Sequence, residues 1–197
     1  INPECWMIYR RRVESMEALT NELSQEFYTE DKQFVYSRWH GNFFVGQDYL
    51  GNRHKEIWEY ACSMGGFIVP THGSTKPMNK NYVSEMRSTW PGSTTPLPAN
   101  MQIVSLRVNT KYYKDYIYRK SVQDADKPGQ LHFCVLDEDD DFLHQWVAET
   151  RGKDGFWDNV KNKDNHYWDC TGIVFCVADF MQLHTISAPD NQPEVVP

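Results

Sequence analysis

The sequence predicts a single α+β domain, on three observations. Two stretches, 10–29 and 54–64, carry apolar residues at three- and four-residue steps, the period of a helix. Short runs of β-branched and aromatic residues occur at 66–69, 101–108, 131–136 and 172–179, the first two bounded by glycine, proline or asparagine, as strands usually are. Between them lie polar or proline-rich segments, 88–100 and 137–169, that read as long loops.

Taken in order, Val13, Met16, Leu19, Leu23 and Phe27 mark an N-terminal amphipathic helix within 10–29. Residues 33–52 are aromatic-rich and broken by Gly41, Gly46 and Gly51, which suits short strands and turns. A helix follows from His54, with Ile57, Ala61 and Met64 on one stripe, Trp58 and Cys62 beside it, and Gly65 and Gly66 as its stop. "GFIV" then predicts a brief buried strand closed by Pro70, and "NKNYVSEMR" a second short helix capped by Asn79, with Tyr82, Val83 and Met86 inward. Val104, Leu106 and Val108 alternate, as do Tyr112, Lys114, Tyr116 and Tyr118, so a hairpin is predicted across Asn109 and Thr110. "LHFCVL" and "GIVFCVAD" complete the strands. The expected organisation is a helical extension over 1–32, the domain over 33–180, and a C-terminal strand with a loose tail over 181–197.

At 40% hydrophobic and 24% charged, the 197-residue chain has the composition of a soluble globular domain, and no apolar run is long enough to span a membrane. The formal charge is −7 and the one basic cluster is Arg10, Arg11 and Arg12, which argues against nucleic acid as a partner. The opening residues lack a signal-peptide pattern, while a start at Ile1 is what processing would leave. Seven tryptophans are present; Trp90, Trp146, Trp157 and Trp168 fall in the long loops among acidic residues, where large aromatic side chains suit recognition.

The five cysteines are Cys5, Cys62, Cys134, Cys170 and Cys176. Around them the chain resembles the C-type lectin-like domain. "WEYACSMGGFIV" is similar to that family's cysteine helix and the strand after it, "PTHGSTKPMNKNYVSEM" to its following loop and second helix, and "QIVSL" stands where its W-I-G-L usually lies. "DKPGQLHFCVL" is similar to its E-P-N loop and cysteine strand, and "HYWDCTGIVFCVAD" to its closing cysteine segment. The resemblance implies two short helices flanking small antiparallel sheets, a long loop region, and disulfides Cys62–Cys176 and Cys134–Cys170. Each would restrict the unfolded chain by about 4–5 kcal/mol. Cys5, or the helix in 10–29, is left to link subunits. An extracellular, secreted location follows from such pairing.

The resemblance also implies sugar held through Ca²⁺, but the matching loop reads Lys127, Pro128, Gly129 and lacks the oxygen donors. The standard calcium–sugar site is therefore not expected, and no cofactor is required. Asp137, Glu138, Asp158, Asn159 and Asp169 remain as oxygen ligands for a cation. His132 with Cys134, and His166 with Cys170 and Cys176, have a zinc-like composition without zinc-like spacing. The expected function is a recognition module for a protein or glycan rather than a catalyst. The alternatives are a small α+β hydrolase or transferase with His132 or His184 as acid/base, and a structural or assembly protein.

Overall fold

The computed structural model describes residues 5–7, 11–28, 35–36, 44–50, 53–124, 127–133 and 140–183. Strand β1 (Cys5–Met7) precedes helix α1 (Met16–Leu23), whose N-cap Ser15 accepts from the Ala18 amide at 3.0 Å. The helix read into 10–29 is thus shorter than its pattern, because β2 (Phe27–Tyr28) claims the last apolar position and pairs with β3 (Val35–Tyr36). Next come β4 (Val45–Asp48) and α2 (His54–Ser63), which stops where Gly65 and Gly66 take φ of 62° and 94°, the left-handed region open to glycine.

The central sheet has four strands in the order β4, β5 (Ile68–Gly73), β7 (Val104–Val108), β6 (Tyr82–Met86). The first three run parallel and β6 is antiparallel at the edge. Pro70 does not close β5. It lies one residue before the β5–β7 ladder begins at Thr71, so its missing N–H breaks no bond to β7 and the strand continues to Gly73. β6 occupies the segment expected to be a helix: Tyr82 packs on the core while Met86 is exposed, and the segment pairs with β7 from Tyr82↔Val108 to Met86↔Val104.

Two further expectations reverse. "KYYKDYIY" belongs to α3 (Thr110–Ser121), capped by the Asn109 side chain on the Tyr112 amide at 3.2 Å; Tyr113 and Ile117, four apart, face the core. "GIVFCVAD" belongs to α5 (His166–Phe180), packed against β4, α3 and α4 (Asp140–Trp146). A helix covered on that many sides has no broad polar face, so its sequence reads like a buried strand. β8 (Leu131–Phe133) pairs in parallel with β1, and β9 (Thr150–Arg151) with β10 (Trp157–Asp158) inside the stretch read as loop. Among the described residues no helix is long and apolar enough to cross a membrane.

One core joins Val69, Leu106 and Val108 of the sheet to Tyr113 and Ile117 of α3 and Trp168, Phe175, Cys176 and Val177 of α5. A separate cluster holds Tyr49, Trp58 and Leu97, with Cys62 packed beside them. This separation overturns the Cys62–Cys176 disulfide: both are free thiols, and Cys62 Sγ donates to the Met101 carbonyl at 3.6 Å. Cys170 is also free, on an exposed part of α5; its expected partner Cys134 lies outside the described residues.

Gly46 is the point where α5 meets the sheet. A Cβ there would collide with Ile173 Cγ2 and come within 2.8 Å of Val177 Cγ2. Gly46→Val is expected to lower stability by about 1–3 kcal/mol, read as a drop in Tm. Burial pushes the Cys176 thiol up to about 12, so it stays protonated and slow to alkylate at pH 8. Alkylation of the unfolded chain without reductant should label Cys62, Cys170 and Cys176 together; label blocked at Cys62 and Cys176 until reduction would mean that they are bonded.

Candidate active site

The three parallel strands end side by side, at Asp48, Gly73 and Val108. Ligands in open α/β sheets bind outside the carboxyl ends of such strands. Here a cavity of about 190 Å³ is lined by Asp48, Thr110, Lys114, Glu149, Asn165 and Asp169, among others. It shares Gly73, Thr110 and Lys114 with a larger cleft of about 930 Å³, bounded by the 74–78 loop, the first turn of α3, and residues 154–158.

Geometry explains why these side chains converge. Gly46 and Asp48 are two apart on a strand and share a face, while Asp169, Ile173 and Val177 are four apart on a helix and share a face. Seating Ile173 and Val177 over Gly46 therefore brings Asp169, in the first turn of α5, towards Asp48. From α3, Lys114 Nζ reaches both oxygens of Glu149 at 2.7 Å and Asp169 Oδ1 at 2.8 Å. Asn165 Nδ2 donates to Glu149 Oε1 at 2.5 Å and Asp169 Oδ2 at 3.0 Å. Gly73 keeps the wall close: a Cβ there would lie 2.9 Å from Thr110 Oγ1.

Asp48 reaches solvent at the cavity mouth, yet its carboxyl is raised above the ordinary aspartate value. The surrounding protein desolvates it, and the nearby charge of Asp169 adds to the effect, while the Leu50 amide opposes both. Three carboxylates and one ammonium leave an excess of two negative charges. That imbalance, with hard oxygen donors, suits a divalent cation such as Mg²⁺, which is commonly held by one or two carboxylates plus water and substrate phosphate. Among the described residues no cluster of three His, Cys, Asp or Glu groups is arranged to hold a metal unaided. Glu149 is engaged by Lys114, so Asp48 and Asp169 are the carboxylates that could hold such an ion.

Of the residues singled out from sequence, Asp169 alone enters this cavity. Asp158 borders the larger cleft on β10; Asn159 instead closes a turn, accepting from the Lys163 amide at 2.9 Å. Asp137 and Glu138 lie outside the described residues, as does His184. His132 lies on β8, away from both cavities. His166, exposed at the start of α5, sits 3.9 Å from Asp164, while Cys176 is buried beside Tyr113, so no zinc site forms from them.

Of the four tryptophans, Trp168 is in the core and Trp90, Trp146 and Trp157 are partly buried against it or the second cluster. Trp168 is 3% exposed, with its ring 4.9 Å from Trp146 and 5.3 Å from Trp157, and Trp90 packs on the second cluster under Lys55. Sequence reasoning missed Asp48, Lys114 and Glu149. The readable signal at Asp48 was a short glycine-containing strand ending in a carboxylate just before a helix.

The family model described as "Terminase large subunit gpA, endonuclease domain" matches residues 3–189, nearly the whole chain. No curated protein and no solved structure matches. The match overturns the C-type lectin-like resemblance, and with it the secreted glycan- or protein-binding module. It also overturns the exclusion of nucleic acid, since an endonuclease acts on it. The physical reason is that −7 is a sum over the chain, whereas binding depends on local charge: the cleft sets Lys76, Lys111 and Lys114 against Asp115, Asp154 and Asp158, so its lining carries no net negative charge. Of the functions that the sequence suggests, the hydrolase alternative is nearer, with carboxylates rather than a histidine at its centre. By this match the chain belongs to the family of terminase large subunit gpA endonuclease domains.

Proposed function

We propose that this chain hydrolyses phosphodiester bonds of DNA during phage DNA packaging, in the host cell rather than outside it, at the site formed by Asp48 and Asp169. The observation that carries this reading is the convergence of those two carboxylates where three parallel strands end, beside a cleft whose lining sets Lys76, Lys111 and Lys114 among Asp115, Asp154 and Asp158. When bound, a divalent cation supplies Lewis acidity at a phosphoryl oxygen and lowers the pKa of an attacking water. Asp48 and Asp169 hold it.

The rest of the site is suited to placing the strand. Asn109, Thr110, Lys111 and Tyr112 line the cleft, so the N-terminal turn of a twelve-residue helix faces it. Amides at such a terminus and the positive end of the helix dipole favour phosphate. Lys111 lies 5.7 Å over the Phe156 ring and 3.8 Å from Asp115, which keeps its ammonium at the rim, and Lys76 lines the wall on the loop after β5. These cations attract the backbone without reading sequence.

Asp48→Asn and Asp169→Asn are each expected to lower Mg²⁺-dependent nicking of plasmid DNA by at least about 100-fold, with the circular dichroism spectrum unchanged. Wild-type rates in both folded variants, or full cleavage in excess EDTA, would overturn the reading. The double variant Lys76→Ala/Lys111→Ala should weaken DNA binding on all sequences alike, and flatten log K against log salt by about one unit for each phosphate no longer neutralised.

A further inference from the structure

The ion pair of Lys114 is more than a strut between helices. Its side chain is 9% exposed and that of Glu149 5%. An ammonium has three N–H groups, and all three have oxygen partners here: two on Glu149 and one on Asp169. Glu149 Oε1 also accepts from Asn165, so Glu149 is committed to nitrogen donors. Asp169 gives Oδ1 to Lys114 and Oδ2 to Asn165, with one lone pair left on each for the side facing Asp48.

Sites that use two metal ions set them about 3.5–4 Å apart, with carboxylates shared between them. In this cavity Asp169 is the carboxylate that a second ion would have to share, and the position between it and Glu149 is filled by Nζ of Lys114. We propose that the Lys114 ammonium takes the place of one of two metal ions, so that the chain binds a single divalent cation, between Asp48 and Asp169. The inference rests on the metal-dependent reading given under Proposed function. Charge supports it: one divalent ion cancels the two negative charges left by the three carboxylates and Lys114, whereas two would leave the cavity positive. Glu149 is then a positioning residue, holding the ammonium against Asp169 rather than ligating metal.

Mn²⁺ binding separates the possibilities without any turnover, using isothermal titration and the electron paramagnetic resonance signal of free Mn²⁺ on the 197-residue chain. Wild type is expected to bind one ion. Lys114→Met, which leaves Glu149 and Asp169 facing each other without a cation, is expected to bind two. Lys114→Met/Glu149→Gln, which removes the second carboxylate as well, returns to one. Lys114→Arg keeps a cation in place and also binds one.

Two ions on the wild type, or one on folded Lys114→Met, overturns the role assigned to Lys114 and leaves the Asp48–Asp169 site standing. No Mn²⁺ binding by wild type at millimolar concentration, with Asp48→Asn indistinguishable from it, overturns the metal site itself. Should Lys114→Met fail to fold, the wild-type count still decides, since it needs no variant.

Discussion

The fit of α5 over Gly46 is the constraint on which the rest depends. Only a residue without a side chain lets Ile173 and Val177 settle against β4, and that depth of seating sets how far Asp169 lies from Asp48. The strand period of two and the helix spacing of four act together: each fixes a face, and the contact brings the two faces into register. A packing decision in the core thereby positions two carboxylates at the surface. The site has no separate scaffold.

Lys114 and Glu149 join three pieces of chain at that place: α3, α5 through Asp169, and the segment leading into β9. A buried ion pair adds little to stability once desolvation is counted, because removing two charges from water costs about as much as their attraction returns. Its value here is geometric. Deleting one partner would leave an uncompensated charge in the interior, so Lys114, bonded to Glu149 and Asp169 at once, ties α3 to both. Asn165, just ahead of α5, ties the same carboxylates a second time.

Much of the secondary structure nearest α2 was legible. Its apolar stripe, its start near His54 and the glycine pair that ends it follow local rules, and local rules govern an isolated amphipathic helix. The failures share a cause. α5 is buried on several sides, so its apolar run has no helical stripe, and only its length, 15 residues, spoke against a strand. In α3 the tyrosines fall by chance at alternate positions while the buried pair Tyr113 and Ile117 keeps the helical step. A cap-like Asn79 precedes β6 and a glutamate lies within it, yet an edge strand exposed on one side tolerates such residues. Those misread elements created the apparent lectin pattern, since a closing strand over 172–179 with Cys170 before it and Cys176 on it exists only if α5 is a strand. Asp48, Lys114 and Glu149 were invisible for another reason. Successive members are 66 and 35 residues apart along the chain, and nothing local marks a carboxylate that will meet another across a sheet.

The spread of the site along the chain has a consequence for timing. Polypeptides emerge amino end first, at about 5–20 residues per second. A fragment that has released β4 through β7 already carries a paired sheet and Asp48, but it has neither Glu149 nor Asp169. Until the α5 segment has left the ribosome and docked, Asp48 faces neither Asp169 nor Glu149, and the cavity at the strand ends stays unformed.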